Sequence, residues 1–341
     1  MPSLRVALQR ALKKAVESKS VDELLAPLRV LQLVVVTLGA DVDAAFVAEF
    51  DALLKSLLKD VADARAVAGL WQTLALLTFV AGTDDAQSLA LMAQFTPDLK
   101  RDRVAGEALR CWGFLASIVS ADIVVRQLFE SHLPIFVAML ESSDADVHVA
   151  AANNVALLFD HWKAAMALDN RDTGIEECAV VDVNDVRDRV AALAHSVAKQ
   201  SGASEPQKRL WRVMLRRVAR ALTVADEGVH EDDQPDDDIF DQLEFNDQRV
   251  RVQGFAMLIQ VDFFRAVLGT GFAAHMAHNP LLHDVFADSI ESTEKKSLSS
   301  FQKRRENEKV SKERERGRGK GRELKVQKNK LAESHEFDDD E

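Results

Sequence analysis

The first candidates for a chemical role in this 341-residue chain are three histidines, His275, His278 and His283. The first two are three positions apart, so a helix would place them on a shared face, as a metal site requires. Asn279 and Pro280 then break that helix before His283, and no cysteine is near. We therefore interpret these histidines as structural or surface residues and expect no metal.

Other motifs that could indicate a binding site or an active site are weaker. The string Arg316-Gly-Arg-Gly-Lys-Gly-Arg resembles a phosphate-binding loop, but it does not fit G-x-x-x-x-G-K-[ST] and follows no predicted strand. Residues 226–238 include eight acids, yet no apolar neighbours that would raise a carboxyl pKa. No serine or cysteine stands in a recognisable nucleophile motif. We expect no catalytic residue, no cofactor, no small-molecule substrate and no enzymatic activity.

Basic residues are concentrated in two segments, of which residues 207–222 are the first. Cations recur there at intervals of four, which predicts a basic stripe along one face of a helix, backed by an apolar face. The candidate RNA-binding residues are Lys208, Arg209, Arg212, Arg216, Arg217 and Arg220. The predicted packing side is Trp211, Met214, Leu215, Val218 and Leu222. A solvated face without a partner is the alternative interpretation.

The second basic segment is residues 292–330, where Ser292 or Thr293 is suited to cap an extended helix. Only Leu298 and Phe301 offer an early apolar anchor, so we expect the segment to become ordered on a partner. An RNA-binding arm and a nuclear-localisation signal both fit. The candidate RNA-binding residues are Lys295, Lys296, Lys303, Arg304, Arg305, Lys309, Lys312, Arg314, Arg316, Arg318, Lys320 and Arg322.

The charge is distributed unevenly along the chain. The net charge is −12, but residues 295–330 carry 15 Lys/Arg against 5 Asp/Glu, and residues 331–341 carry six acids and no Lys or Arg. The rest of the chain is therefore acidic. An acidic body with a basic arm and an acidic tip predicts separate roles along the chain, the basic parts facing polyanions.

Apolar residues recur at three and four positions, which predicts an all-α protein. Gly39, Gly82, Pro97, Pro134 and Pro206 are predicted to mark the joints between helices. The stretch from residue 68 to 75 resembles the one from 109 to 116 at an offset of 41 residues, each with a central tryptophan. That period is typical of armadillo/HEAT repeats and predicts a helical solenoid, which binds macromolecules on an extended surface. The alternative is a helical bundle in which the similarity of the two stretches is a coincidence.

These patterns divide the chain into five segments. We predict an armadillo-like domain at 1–224, an acidic linker at 225–238, a helical region at 239–290, a basic helix or extension at 291–330 and an acidic tail at 331–341. Only two cysteines occur and neither sits in a CxxC pair, which favours a reducing compartment, the cytoplasm or also the nucleus. The longest apolar run is about half a membrane span, so no membrane partner is expected. Residues 1–16 are interpreted as an ordinary first helix rather than a mitochondrial presequence.

Two blocks resemble a known family. The segment Asp144-Ala-Asp-Val-His-Val-Ala-Ala-Ala-Asn-Asn-Val-Ala-Leu-Leu-Phe159 is one. The other comprises Phe245, Gln260-Val-Asp-Phe-Phe264, Val267-Leu-Gly-Thr-Gly271, His275, Asn279, Leu281-Leu282 and Asp284-Val-Phe286. Both are similar to segments of the interferon-related developmental regulator family, although Thr270 stands where the family usually has Ser and His148 where it has Arg. The family's Ser/Arg-rich N-terminal extension is missing.

The resemblance implies an armadillo-like scaffold without enzymatic activity. It also implies one of two roles. The first is ribosome binding through rRNA and ribosomal proteins, in which the C-terminal helix occludes the mRNA/tRNA path of idle ribosomes and represses translation. The second is transcriptional co-regulation through nuclear protein complexes. The basic segments favour the first role, because a cationic helix would be ordered by an rRNA-walled channel.

Overall fold

The computed structural model describes residues 2–82, 84–100, 104–168, 180–197, 203–222, 239–245 and 248–291. Their helices are α1 (Pro2–Ser18), α2 (Val21–Leu38), α3 (Ala44–Asp60), α4 (Ala64–Ala81), α5 (Asp85–Phe95), α6 (Ala105–Ala116), α7 (Ala121–Val124), α8 (Glu130–Met139), α9 (Ala145–Leu168), α10 (Val183–Ser196), α11 (Glu205–Ala221), α12 (Gly254–Leu268), α13 (Phe272–His278) and α14 (Pro280–Val285). Their strands are β1 (Ile239–Phe245), β2 (Gln248–Gln253) and β3 (Ile290–Glu291). The prediction of a helical protein is confirmed.

Local chemistry explains where several helices begin and end. Ser20 and Asp63 cap α2 and α4, because their side-chain oxygens accept hydrogen bonds from backbone N–H groups of the first turn. Gly39 and Gly269 end α2 and α12 with φ of 52° and 53°, a left-handed conformation that glycine adopts without strain. The break predicted at Gly39 is therefore confirmed.

Two of the three predicted proline joints are confirmed. Pro97 lies in the turn after α5, and Pro206 occupies the first turn of α11, where its missing N–H costs nothing. The joint predicted at Pro134 is wrong, since Pro134 lies inside α8. A π-helical turn over Val125–Phe129 immediately precedes α8 and links it to α7, so the chain continues in helical form across the site where a break was expected.

Two sets of helices alternate along the chain, and the members of the first set form a row. Helices α2, α4, α6, α9 and α11 each contact the next member of the series, while α1, α3, α5, α8 and α10 each pack against the helix that follows them in the chain. Trp71 of α4 and Trp112 of α6 are the tryptophans of the two similar stretches that lie 41 residues apart in the sequence. Both belong to this row and are buried. The apolar face of α1, with Leu8 and Leu12, is buried as well.

The C-terminal part of the described chain packs against the row that contains α2, α6 and α9. Helix α12 contacts α2, α6 and α9, and the rings of Phe114 and Phe263 stack with centroids 3.6 Å apart. The backbone N–H of Phe255 donates to the Asp160 carboxylate across 3.1 Å. Residues 1–291 consequently form one compact unit that contains both the predicted 1–224 domain and the 239–290 region.

The region from 239 to 290 begins with a β-hairpin, which the sequence analysis did not predict. Strands β1 and β2 pair antiparallel, and β2 also pairs with β3. The signal was present, because Arg249, Val250, Arg251 and Val252 alternate polar and apolar residues with the period of a strand. Both valines are fully buried, whereas Arg249 is exposed and Arg251 half-buried. The region predicted to be helical therefore begins with a hairpin and continues with α12, α13 and α14.

Candidate nucleic-acid interface

Helix α11 contains the first predicted basic segment. It begins after Ser204, whose hydroxyl accepts from the Gln207 N–H. The helix packs against α9 and α10. Its buried residues are those predicted from the sequence: Trp211, Met214, Leu215 and Val218, followed by Leu222 at the C-cap. Because these five buried side chains lie on one side of α11, the opposite side of the helix faces away from the core.

The opposite side of α11 is cationic. Arg209, Arg216 and Arg220 are exposed there, and Arg212 is half-buried beside them. We call these four residues the arginine face. At 1.5 Å per residue, Arg209 and Arg220 lie about 17 Å apart along the axis. Within the part of the chain that the structure describes, Arg209 and Arg216 form no ion pair, and both are exposed.

Lys208 and Arg217 lie outside the arginine face. The Lys208 ammonium pairs with the Glu205 carboxylate at 3.2 Å, and its side chain is only 15% exposed. Glu205 is the first residue of α11 and precedes the basic segment as the sequence delimited it, so its pairing with Lys208 was not foreseen. Arg217 is half-buried on the other flank of the helix. The four arginines therefore form a more compact group than the six predicted cations.

The second set of predicted RNA-binding residues lies outside the described residues. It comprises Lys295, Lys296, Lys303, Arg304, Arg305, Lys309, Lys312, Arg314, Arg316, Arg318, Lys320 and Arg322. The predicted acidic linker at 225–238, the acidic tail at 331–341 and all but the first residue of the basic extension at 291–330 lie outside them too.

The histidine cluster makes hydrogen bonds within the fold. The Asn279 side-chain amide donates to the Val36 carbonyl and lies 3.0 Å from His275 Nδ1. His283 Nε2 donates to the Met276 carbonyl at 2.6 Å. Desolvation on burial lowers the pKa of His275. The ring therefore stays neutral and can accept a hydrogen bond. These bonds hold α13 and α14 against α2 and give two of the three histidines a structural role.

Cys111 is the one cysteine among the described residues, and it is fully buried in α6. Burial away from water raises the pKa of its thiol well above the usual range, and the nearby Glu107 carboxylate adds to this effect. The thiol therefore stays protonated near neutral pH, and a protonated thiol is a poor nucleophile.

A groove missed by the sequence analysis lies beside α11. It has a volume of about 170 Å³ and is lined by α6, α9, α11 and α12. Asn153 of α9 lines it, is 8% exposed, and has a side-chain oxygen without a hydrogen-bond partner among the described residues. Leu210 of α11 also lines it and is 53% exposed. The four lining helices are spread over more than 150 residues, so no local pattern could have revealed the groove.

Three segments are long and apolar enough to cross a membrane by length and composition: Val21–Asp41, Ala64–Ala81 and Gly254–His278. The sequence-based prediction considered only the longest unbroken apolar run and therefore overlooked these three segments. In the fold, about half of each segment is buried against other helices. The third is two helices, α12 and α13, separated by the turn at Gly269.

Comparison with known proteins identifies a family. The sequence model of a protein family described as interferon-related developmental regulator matches residues 3–221, more than half of the chain. The match spans α1 to α11 and includes the block at 144–159 and the arginine face, whereas the block at 245–286 lies beyond it. No curated protein matches the chain.

Proposed function

The chain belongs to the interferon-related developmental regulator family, and from that premise we propose that it is a ribosome-binding translational repressor. In this proposal the arginine face docks the helical body on rRNA, and the basic region at 292–330 occludes the mRNA/tRNA path of idle ribosomes. The family supports a regulatory role in general. No catalytic step, cofactor, small-molecule substrate or membrane partner belongs to the proposal, and its compartment is the cytoplasm.

The arginine face is the observation on which the proposal rests. Its cations follow one another along a single side of α11, while the other side of the helix is anchored in the core. Guanidinium groups bind phosphate with paired N–H donors, so such an array suits a polyanion. An rRNA surface supplies closely spaced phosphates, and each one bound releases counterions that contribute to affinity.

The charge of the remaining body favours a single docking orientation. Outside the basic segment at 295–330 and the acidic tip, the chain carries an excess of acids. Carboxylates on the other surfaces would be repelled by phosphates, whereas α11 would be attracted. Binding should therefore be steered through α11 rather than occur on any face.

A repeat scaffold of the armadillo/HEAT type is part of the same proposal. The row of helices that contact one another in series supports it, and so do hydrogen bonds between helices about 40 residues apart. Gln32 bonds to Thr73 across 41 residues, Arg65 to Asp22 across 43 and Asn154 to Leu109 across 45. These separations lie in the 40–47-residue period of such repeats. A rigid stack of this kind would hold α11 at a constant orientation toward its target.

Co-sedimentation with ribosomes tests the proposal. Replacing the four arginines of the arginine face by glutamine should weaken binding and lower the magnitude of the slope of log affinity against log salt by about 3, because four phosphate contacts are lost. The matched control replaces Arg10, Lys13, Lys14 and Lys59, which are exposed on α1 and α3, and removes the same net charge. Equal losses in both variants, or none in either, would contradict docking through α11.

A nuclear co-regulator that binds protein complexes is the second candidate, and the groove beside α11 is the observation that favours it. Sedimentation in a polysome gradient with and without RNase separates the two candidates. A factor bound to idle ribosomes sediments with single ribosomes and leaves those fractions when extensive RNase digestion degrades the rRNA. A protein-complex scaffold is unaffected and accumulates in the nucleus.

A further inference from the structure

Helix α11 carries a second apolar stripe on its exposed side. Pro206, Leu210 and Val213 recur at intervals of four and three positions, which places them on one side of the helix. Pro206 is exposed, and the exposed fractions of Leu210 and Val213 are 53% and 37%. We call these three residues the outer stripe. The five buried side chains anchor α11 in the core without them, so the helix is apolar on two sides, as a helix that packs on two sides would be.

The outer stripe belongs to the last helix of a row. Each of α2, α4, α6, α9 and α11 packs against the next one, and α11 is the last of them in the described part of the chain. The next described helix, α12, packs against α2, α6 and α9. In a helical stack each unit buries its apolar faces on its neighbours, and a terminal unit normally presents a polar outer side. An apolar stripe on the last helix therefore indicates that a further helix packs there.

The flank of the outer stripe is cationic. At 3.6 residues per turn, Arg209 and Arg216 lie about 40° and about 60° around the axis of α11 from Val213, both on the side away from Leu210. Both arginines are exposed, and neither forms an ion pair with another described residue. A ligand on the outer stripe would be attracted most strongly if acidic residues lay along one flank of its apolar side.

The groove beside α11 continues the outer stripe on its other flank. Leu210 lines the groove together with Met214. An apolar cavity of about 150 Å³ holds a benzene-sized group, so a groove of about 170 Å³ has room for one apolar side chain. The two carboxylates of the lining each interact with an arginine, Asp146 with Arg110 and Asp262 with Arg265. The groove therefore selects an apolar group, and the arginines on the opposite flank select the charge.

Three other occupants fit this surface less well. Phosphates gain nothing from the outer stripe, and its side chains offer no aromatic ring on which an unpaired base would stack. A second copy of this chain bound through the same side would bring Arg209 and Arg216 against their own counterparts, and like charges repel across an interface. A metabolite usually needs a pocket above about 300 Å³, which is larger than the groove.

We infer that the outer side of α11 binds an amphipathic helix of a partner protein. Apolar residues of that helix, at intervals of three and four, pack on the outer stripe and fill the groove with one side chain, while its acidic residues face Arg209 and Arg216. The partner helix extends the row by one member. The inference goes beyond the proposed function, because a bound helix covers arginines through which the chain would dock on rRNA. The partner and rRNA would then exclude each other.

Fluorescence polarisation on the full chain, without ribosomes, tests this inference. The probe is a labelled peptide of about fifteen residues, long enough to form a helix, with leucines at intervals of four and three, glutamates on one flank and alanine elsewhere. The peptide should bind. Replacing its leucines by alanine, or its glutamates by lysine, should weaken binding at least about tenfold.

A pair of matched variants tests the outer stripe. Leu210→Gln/Val213→Gln should weaken peptide binding about tenfold, because two apolar contacts are lost. Glutamine favours a helix about as much as leucine, and both positions are partly exposed, so the melting temperature should not fall. Leu4→Gln/Val6→Gln is the control, since it removes side chains of similar exposure from α1 and should leave peptide binding unchanged.

A second pair tests the cationic flank. Arg209→Gln/Arg216→Gln should weaken peptide binding about threefold, the value of two exposed ion pairs, and the difference from wild type should shrink as salt is added. The control is Arg10→Gln/Lys13→Gln, which removes the same charge from exposed positions of α1 and should have no effect.

Four results would overturn the inference. The first is no peptide binding up to millimolar concentration, and the second is equal binding to wild type and to Leu210→Gln/Val213→Gln. Weaker ribosome co-sedimentation of that variant would assign the outer stripe to RNA, and loss of a dimer in analytical ultracentrifugation would assign it to a second copy. Because peptide binding is measured without ribosomes, a chain that binds the peptide but no ribosome contradicts only the proposed function.

Discussion

Replacing Gly113 by alanine should destabilise the protein, although alanine favours a helix. Gly113 lies in α6 where α9 crosses it, and a β-carbon there would overlap the side-chain oxygen of Asn154 and contact Ile259 at 3.5 Å. Alanine in place of glycine within a helix gains about 1 kcal/mol. Displacing Asn154 breaks its hydrogen bond to the Leu109 carbonyl and leaves a buried amide unpaired, at a cost of about 1–3 kcal/mol, and overpacking adds about 1–3 kcal/mol.

The net loss in free energy of unfolding should therefore be about 1–5 kcal/mol, measured by urea denaturation. A double-mutant cycle makes the test specific. In an Asn154→Ala background the overlap no longer exists, so Gly113→Ala should become stabilising by up to about 1 kcal/mol. The sign of the effect thus depends on a single neighbouring side chain.

Gly106→Ala is the matched control in the same helix. A β-carbon at Gly106 would meet Val147 at an ordinary 3.7 Å, so this variant should be neutral or slightly more stable than the wild type. If Gly113→Ala behaves like Gly106→Ala, or destabilises equally with and without Asn154, the close approach of α6 and α9 at this point is refuted.

Two further predictions concern pH and the C-terminal segment. Desolvation lowers the pKa of His132 and of His161, so the folded state binds fewer protons than the unfolded state, and the melting temperature should fall as pH drops below about 6.5. His132→Phe should reduce that dependence, and a pH-independent melting temperature in the wild type would contradict the burial of these rings. Deleting residues 292–330 should abolish inhibition in a cell-free translation assay, and full inhibition by the truncated chain would eliminate the occlusion mechanism.

Helix α11 shows how much a local pattern can predict. Its buried and exposed faces follow from the spacing of Trp211, Leu215 and Val218 against the arginines, because a helix places residues three and four positions apart on one side. The helical class and the breaks at Gly39, Pro97 and Pro206 follow from equally local properties. The hairpin was missed even though its signal was local, since the alternation over Arg249–Val252 was short within an otherwise helical chain.

The sequence by itself determined the helical class, the amphipathic α11 and the uneven distribution of charge, because propensity, periodicity and charge are properties of neighbouring residues. Tertiary structure alone decided that Gly113 lies against Asn154, that Phe263 stacks on Phe114, and that Asn153 lines a groove with its side-chain oxygen unpaired among the described residues. These features depend on which helices meet and at what distance. Contacts between residues 40 or more positions apart arise from packing, and no short-range pattern specifies them.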